Sequence, residues 1–309
     1  MFASLLALSS LALAYADWAS IRSAILEKSG QKSTSLRPLV APAPEPAVPE
    51  GYFLAFGPLA AASSAPGYMG FVFLPSYDVA ACASTCNTRD FDQVGGRCQF
   101  FNVWEAVVTS TNETTFTCAM YYLSTDASTA TNTGDATISI SAARGYSRIS
   151  AVPNGNFEGF TCTAPAVTCS AASFGGWVGT SDNATVLDTA AIVRDPALAH
   201  FGSGSISLGS LSGKTAASGT MTFKNIPTVK GRSYDLGFFH SSLVRNAANA
   251  TGAIVNVTWN GAAIETITGA SNWTFHGRTL VAAGNDTLAF HGGKYPAYSS
   301  IDDVFLFLL

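Results

Sequence analysis

Charge is scarce in this chain of 309 residues. Asp, Glu, Lys and Arg make up only 12%, about half the share of roughly 25% in ordinary globular proteins. The formal net charge is −4, from 16 basic and 20 acidic residues. No basic stripe is available to follow a phosphate backbone, which argues against nucleic acid as a partner. Histidine is also sparse. The four residues, His200, His240, His276 and His291, are scattered singly, and no His-Glu-x-x-His zinc motif exists. A Gly-x-Ser-x-Gly nucleophile elbow is missing, since "GSLSG" and "GSGSISLG" have the wrong spacing. No phosphate loop is present, because the Gly-rich pieces lack the following helix that such a loop opens. A glycosidase pair needs two carboxyl groups that flank one bond. Asp302 and Asp303 are neighbours on a strand and point to opposite faces, while Glu158, Asp188, Asp235 and Glu265 are isolated. Catalysis is therefore not expected.

Long apolar runs are missing as well. Beyond the first residues nothing reaches the ~18 continuous apolar positions of a membrane helix, so no membrane span is expected. The opening "MFASLLALSSLALAYA" ends in Ala14-Tyr15-Ala16, the small-x-small pattern of a signal-peptidase site, and residues 1–16 read as a signal peptide. The apolar tail after Asp303 is too short, and lacks the polar spacer, for a lipid-anchor signal. Six Asn-x-Ser/Thr sequons, at Asn112, Asn183, Asn249, Asn256, Asn272 and Asn285, predict a glycoprotein. Six cysteines, an even number, fit an oxidising compartment. These features predict a secreted protein, extracellular or associated with the cell wall.

What is present in quantity is core material: 48% of residues are hydrophobic and 11% aromatic, enough for two domains at this length. Residues 17–50 read as a short helix over "WASIRSAILEKS", with Trp18, Ile21, Ile25 and Leu26 on one side, and then a linker, "LRPLVAPAPEPAVPEG", with five prolines. Alone the helix is marginal, and such a linker is extended and semi-rigid. The first folded domain is expected from Gly51 to about residue 150. "ISAVPNG" marks the boundary, and residues 151–309 show alternating short strands broken by Gly and Asn, as in an antiparallel β-sandwich.

The first domain holds Cys82, Cys86, Cys98 and Cys118. The first two are four apart on a predicted helix capped by Ser76 or Asp78, so their thiols share one face and each can clamp a different strand. Cys98 opens "CQFFNVW" and Cys118 opens "CAMYYL", both β-prone. A tetrahedral zinc shell is the rival reading, but the spacings are not those of paired knuckles. The helix with two cysteines followed by a Cys-x-Phe-Phe strand resembles the PAN/apple family. That resemblance implies a small disulfide-bonded α+β domain with Cys86 joined to Cys98 and Cys82 to Cys118, one of three pairings that four cysteines permit. Cys162 and Cys169, in "TCTAPAVTC", most simply close a small surface loop.

In the second domain, Asn260-Gly261 marks a tight hairpin between two alternating runs. A glycosylated Asn256 must face solvent, which turns Val255, Val257 and Trp259 inward; the same parity argument turns Trp273 inward beside Asn272. Sugar recognition requires exposed aromatic rings with nearby polar groups. Tyr295 and Tyr298, in the Gly/Pro loop "HGGKYPAYSS", are the first candidates, His240 and Arg245 could supply polar contacts, and Trp177 is a further candidate. The "PNGNFEGF" opening and the closing "SSIDDVFLFLL" resemble the galactose-binding-like jelly rolls, which include many carbohydrate-binding modules. With the preceding domain, the chain resembles secreted fungal proteins of the fruit-body-specific type. The jelly-roll resemblance implies a structural calcium ion held by Glu158 and Asp302, with backbone carbonyls completing the shell; a strand-end Asp accepting backbone N–H groups is the alternative. The expectation is a mainly β, secreted, non-catalytic protein that binds polysaccharide or glycoprotein glycans. A structural protein of the extracellular matrix that contacts other proteins without binding sugar is its alternative, and a glycoside hydrolase is a more remote one.

Overall fold

The structure is a computed structural model that describes residues 17–30, 45–244 and 253–309. The expected signal peptide, most of the Pro-rich linker, Arg245 and Asn249 lie outside the described residues. Two units form, residues 1–148 and 149–309. The fold is mainly β with antiparallel sheets throughout. No described helix is long and apolar enough to cross a membrane.

The first unit contains a five-stranded sheet in the order β1-β7-β4-β5-β3, from β1 (Tyr52–Leu59), β3 (Tyr68–Leu74), β4 (Phe100–Val108), β5 (Glu113–Tyr121) and β7 (Ile138–Arg148). The short pair β2 (Ala62–Ser63) and β6 (Ala130–Asn132) lies apart. Period-two alternation in β4 divides its side chains between two cores. Phe100, Trp104, Ala106 and Val108 join one cluster, and Phe101 and Val103 the other. Over the second face lies α2 (Val79–Thr88), capped by Asp78, whose carboxylate accepts the Ala81 N–H. Cys82 and Cys86, both buried, reach β5 and the start of β4 as the disulfides Cys82–Cys118 and Cys86–Cys98, the pairs that the resemblance implied. Such closures contribute about 3 kcal/mol each, mainly by restricting the unfolded chain.

Over the first face lies α1 (Trp18–Ser29), and here the sequence expectation needs correction. The helix does not precede the folded domain; it belongs to its core. Ile21 and Ile25 are buried among Phe100, Trp104 and Tyr121, and Arg22 Nε lies 2.6 Å from Asp135 Oδ2. A sheet whose faces are both apolar needs a cover on each. Tertiary packing therefore holds a helix too short to be stable by itself.

The second unit is a sandwich of two six-stranded sheets. One runs β16 (Ala262–Thr268), β15 (Ile254–Trp259), β18 (Asp286–Gly292), β13 (Gly219–Ile226), β10 (Trp177–Ser181), β9 (Ser173–Phe174). The other runs β17 (Ser271–Val281), β14 (Ser233–Val244), β19 (Ala297–Leu308), β12 (Gly204–Leu208), β11 (Ala190–Arg194), β8 (Cys169–Ala171). The expected hairpin joins β15 to β16, with Asn260 at φ 53° and Gly261 at φ 80°, as a type I′ turn requires. Val255, Val257 and Trp259 face the core as expected. Trp273 does not: it packs beside Phe239, Phe275, Phe305 and Phe307 in a separate aromatic cluster. Cys162–Cys169 closes its small loop.

The acids of the last strand sit at a β-bulge. Asp302 lies opposite Phe239 and Phe305 opposite Gly237, so β19 advances three residues while β14 advances two. The extra residue is Asp303, at φ 50°. Parity reverses there, and Ile301 and Val304 both enter the sandwich core despite being three apart.

The helix α1 generates a stability prediction. Ile25→Ala should destabilise the first unit by about 2–5 kcal/mol, the range for a fully buried aliphatic truncation. The decrease should appear in the denaturant midpoint followed by the fluorescence of Trp104. An unchanged midpoint would show that the helix adds nothing to the unit.

Candidate functional site

Three connections meet beside Tyr295. The β18–β19 loop carries Tyr295 itself, 41% exposed. The turn Gly209–Gly213 after β12 passes under it. Gly213, at φ 69°, faces the ring so closely that a Cβ would stand 3.0 Å from Tyr295 Cε2, so a bare backbone is needed at this point. The third connection, between β10 and β11, supplies Asp188. Its Oδ1 accepts the Ser210 hydroxyl at 3.0 Å and its Oδ2 the Ser212 N–H at 2.7 Å. The Leu211 N–H donates to the Asp188 carbonyl, and the Gly213 N–H to that of Ser210. Burial opposes ionisation of Asp188, but the hydrogen bonds from Ser212 and Ser210 outweigh it and hold the carboxyl below its usual range. This carboxylate positions the turn on which Tyr295 rests.

Two of these segments, the β10–β11 connection and the turn with Ser212 and Lys214, wall a shallow cavity of about 440 Å³ together with Ser170 to Ala172, within the range of roughly 300–1,000 Å³ for small-ligand sites. Thr185, Asp188, Ser212 and Lys214 supply polar groups, while Leu187 and Ala191 supply apolar surface. Hydroxyls, one cation and one carboxylate can hydrogen-bond a polyol, and Tyr295, packed on Gly213 between Ser212 and Lys214, offers a ring for its C–H face. None of the cavity residues was singled out for binding in the sequence. Their available signal was the "GSLSG" turn, which has the wrong spacing for a nucleophile yet the right Gly and Ser content for a tight loop.

The expected binding residues fare unequally. Tyr298 is 9% exposed, its ring edge-on to Tyr295 at 6.0 Å, so it backs the site instead of forming a second platform. Trp177 is fully buried against Phe157, Phe223 and Phe290; it is core and, contrary to expectation, presents no ring for a sugar. His240 faces into the sandwich beside Ile301, is 1% exposed, and finds no hydrogen-bond partner for either ring nitrogen. No ligand approaching from solvent can reach it. Burial, with the nearby His276 ring at 5.9 Å, pushes its pKa down from 6.5 to about 4. His276 instead lies 2.9 Å from Glu265. Of the described sequon asparagines none is buried; Asn112, Asn272 and Asn285 are exposed and Asn183 and Asn256 half-exposed.

The structure places Glu158 and Asp302 as acceptors of backbone N–H groups. Glu158 Oε1 already accepts N–H groups from Ser203 at 2.6 Å and Gly204 at 2.7 Å, with Arg194 Nη1 3.8 Å from Oε2. Asp302, fully buried, accepts the His200 N–H at 2.8 Å on Oδ2 and the Asp303 N–H at 2.7 Å on Oδ1. Burial and then the Asp303 charge push its carboxyl well above the usual range. Asp303 is itself paired, its Oδ2 lying 2.8 Å from His200 Nδ1. Among the described residues no group of three or more His, Cys, Asp or Glu side chains could hold a metal ion.

No protein-family model and no curated protein matches the sequence. Among solved structures, the chain is similar to TmCBM61 in complex with beta-1,4-galactotriose, at 14% identity and a TM-score of 0.36, covering 52% of this chain and 99% of that one. It is similar to the enzymatically active domain of tailspike protein 4 from bacteriophage CBA120, at 17% identity and a TM-score of 0.35; that match covers 52% of this chain and 22% of the other. A third is the CBM22-1 xylan-binding domain of Paenibacillus barcinonensis Xyn10C, at 14% identity and a TM-score of 0.30, covering 46% of this chain and 92% of that one. Carbohydrate-binding modules thus recur among the structural neighbours, but at such low identities and TM-scores the likeness carries no argument about ligand or reaction.

The buried imidazole predicts a pH dependence. His240 is neutral in the fold, whereas the unfolded chain takes up its proton near the ordinary value of 6.5. Stability is therefore full above pH 6.5 and falls as the pH drops toward about 4, by an amount on the order of 3 kcal/mol from this group. Denaturant unfolding of wild type and His240→Gln across that range should show the difference between them shrinking as the pH falls. A difference that stays constant with pH would show that His240 is not held neutral.

Proposed function

We propose that this chain is a secreted glycan-binding protein without catalytic function, whose second unit takes a saccharide in the cavity beside Tyr295. The first unit is, in this reading, a PAN/apple-like module, and the whole chain is of the fungal fruit-body-specific type. It acts on polysaccharide or glycoprotein glycans at the cell wall or in the extracellular space. The observation that carries the reading is the position of Tyr295, the one exposed tyrosine among the described residues. Its ring is supported from behind by Tyr298 and from below by Gly213, and the residues on either side of Gly213, Ser212 and Lys214, line the cavity. A ring held in place by two neighbours loses little conformational freedom when a sugar stacks on it, and that preorganisation favours binding.

The test is glycan-array profiling of the deglycosylated full-length protein, followed by affinity measurement on the best-bound glycan. Tyr295→Ala should weaken binding about tenfold, equivalent to about 1.4 kcal/mol, with an unchanged melting temperature. Tyr298→Ala should lower both affinity and melting temperature, because its ring is packed. Binding to no glycan, or full affinity without Tyr295, would reject the proposed site.

A further inference from the structure

The calcium site implied by the jelly-roll resemblance is replaced by something else in this chain. We propose that Glu158 and Asp302 form an ion-free staple, in which two carboxylates grip the backbone of one connection and make the second unit independent of calcium.

The connection joins β11 to β12 and contains His200 to Ser203. Asp302, in the last strand, takes its first part through the His200 N–H at 2.8 Å, with the Phe201 N–H also directed at the carboxylate. Glu158, near the start of the unit, takes its last part through the N–H groups of Ser203 at 2.6 Å and Gly204 at 2.7 Å. A side-chain tie completes the set, His200 Nδ1 to Asp303 Oδ2 at 2.8 Å. One loop thus links the opening segment to the closing strand. Its approach is close: Gly202 stands at φ 69°, and a Cβ there would lie 2.3 Å from Glu158 Oε1.

This arrangement opposes a cation on electrostatic grounds. Calcium would require the carboxylate lone pairs and surrounding carbonyl oxygens at roughly 2.3–2.6 Å. Here Glu158 Oε1 and both Asp302 oxygens face the positive ends of N–H dipoles, and the Arg194 guanidinium lies 3.8 Å from Glu158 Oε2. An ion placed there would meet like charge and displace several charge-assisted hydrogen bonds, which are stronger than neutral ones. A buried carboxyl such as Asp302 needs hydrogen-bond partners, and the His200 and Asp303 N–H groups supply them.

The experiment uses the full chain. Thermal melts with excess calcium and with a chelator should coincide, and terbium, as a luminescent calcium surrogate, should show no saturable binding. Amide hydrogen exchange then reads the staple directly. In Glu158→Gln, exchange at Ser203 and Gly204 should accelerate by about tenfold or more, the equivalent of about 1.4 kcal/mol. Exchange in β14 should not change. The outcome that overturns the proposal is a calcium-dependent rise in melting temperature or saturable terbium luminescence in wild type; either can be read without any variant folding. Unchanged exchange at Ser203 and Gly204 in Glu158→Gln would overturn it as well. None of these readouts depends on glycan binding.

Discussion

The closing strand β19 pairs with β14 along nearly its whole length, and the second unit depends on the extra residue that this ladder accommodates. Without the bulge at Asp303, a strand with side-chain period two would keep every second residue on one face. Ile301 and Val304 could not then both be core. With the bulge, Ile301, Val304 and Leu306 all face the sandwich interior, and Phe305 and Phe307 join the separate aromatic cluster. Two adjacent acids suit this point because a bulge turns consecutive side chains in directions that a regular strand cannot. Asp302 is fully buried and held by backbone donors, while Asp303 is partly exposed and paired with His200.

The first unit solves a different problem. Its sheet is apolar on both faces, and two short helices cover it by different means. The α2 helix is tied covalently through Cys82 and Cys86, which reduces the entropy of the unfolded chain. The α1 helix has no such tie and relies on Ile21, Ile25 and the Arg22–Asp135 pair. Both are too short to persist alone, so each is helical because the sheet requires a cover.

Aromatic residues in the second unit separate by support, not by type. Trp177 is surrounded by three rings and contributes to the core. Tyr298 packs behind Tyr295, and only Tyr295 presents a substantial surface. A binding platform needs this combination of exposure and rigidity, because a mobile ring would lose entropy on stacking. Asp188 provides part of the rigidity from a distance by holding the turn that contains Ser210 and Ser212.

Local chemistry was legible in the sequence wherever it acts over a few residues. The Asn260-Gly261 hairpin, the inward faces of Val255 and Val257, the cap at Asp78 and the small Cys162–Cys169 loop all follow from spacing and residue type. The pairing of the four cysteines was legible only through family resemblance, since three pairings satisfy the same spacing. Tertiary structure decided the rest. It placed α1 in a core, because a helix of marginal intrinsic stability is assigned by the surface it covers. It sent Trp273 and Trp177 to different clusters, because parity assumes a regular strand and says nothing of what lies above each face. It brought Asp188, Ser212 and Tyr295 together from three connections far apart in sequence, where no local periodicity relates them. It also brought backbone donors to Glu158 and Asp302: their carboxyl groups suit a cation or an N–H equally, and the path of the His200 to Gly204 connection carries N–H groups to both.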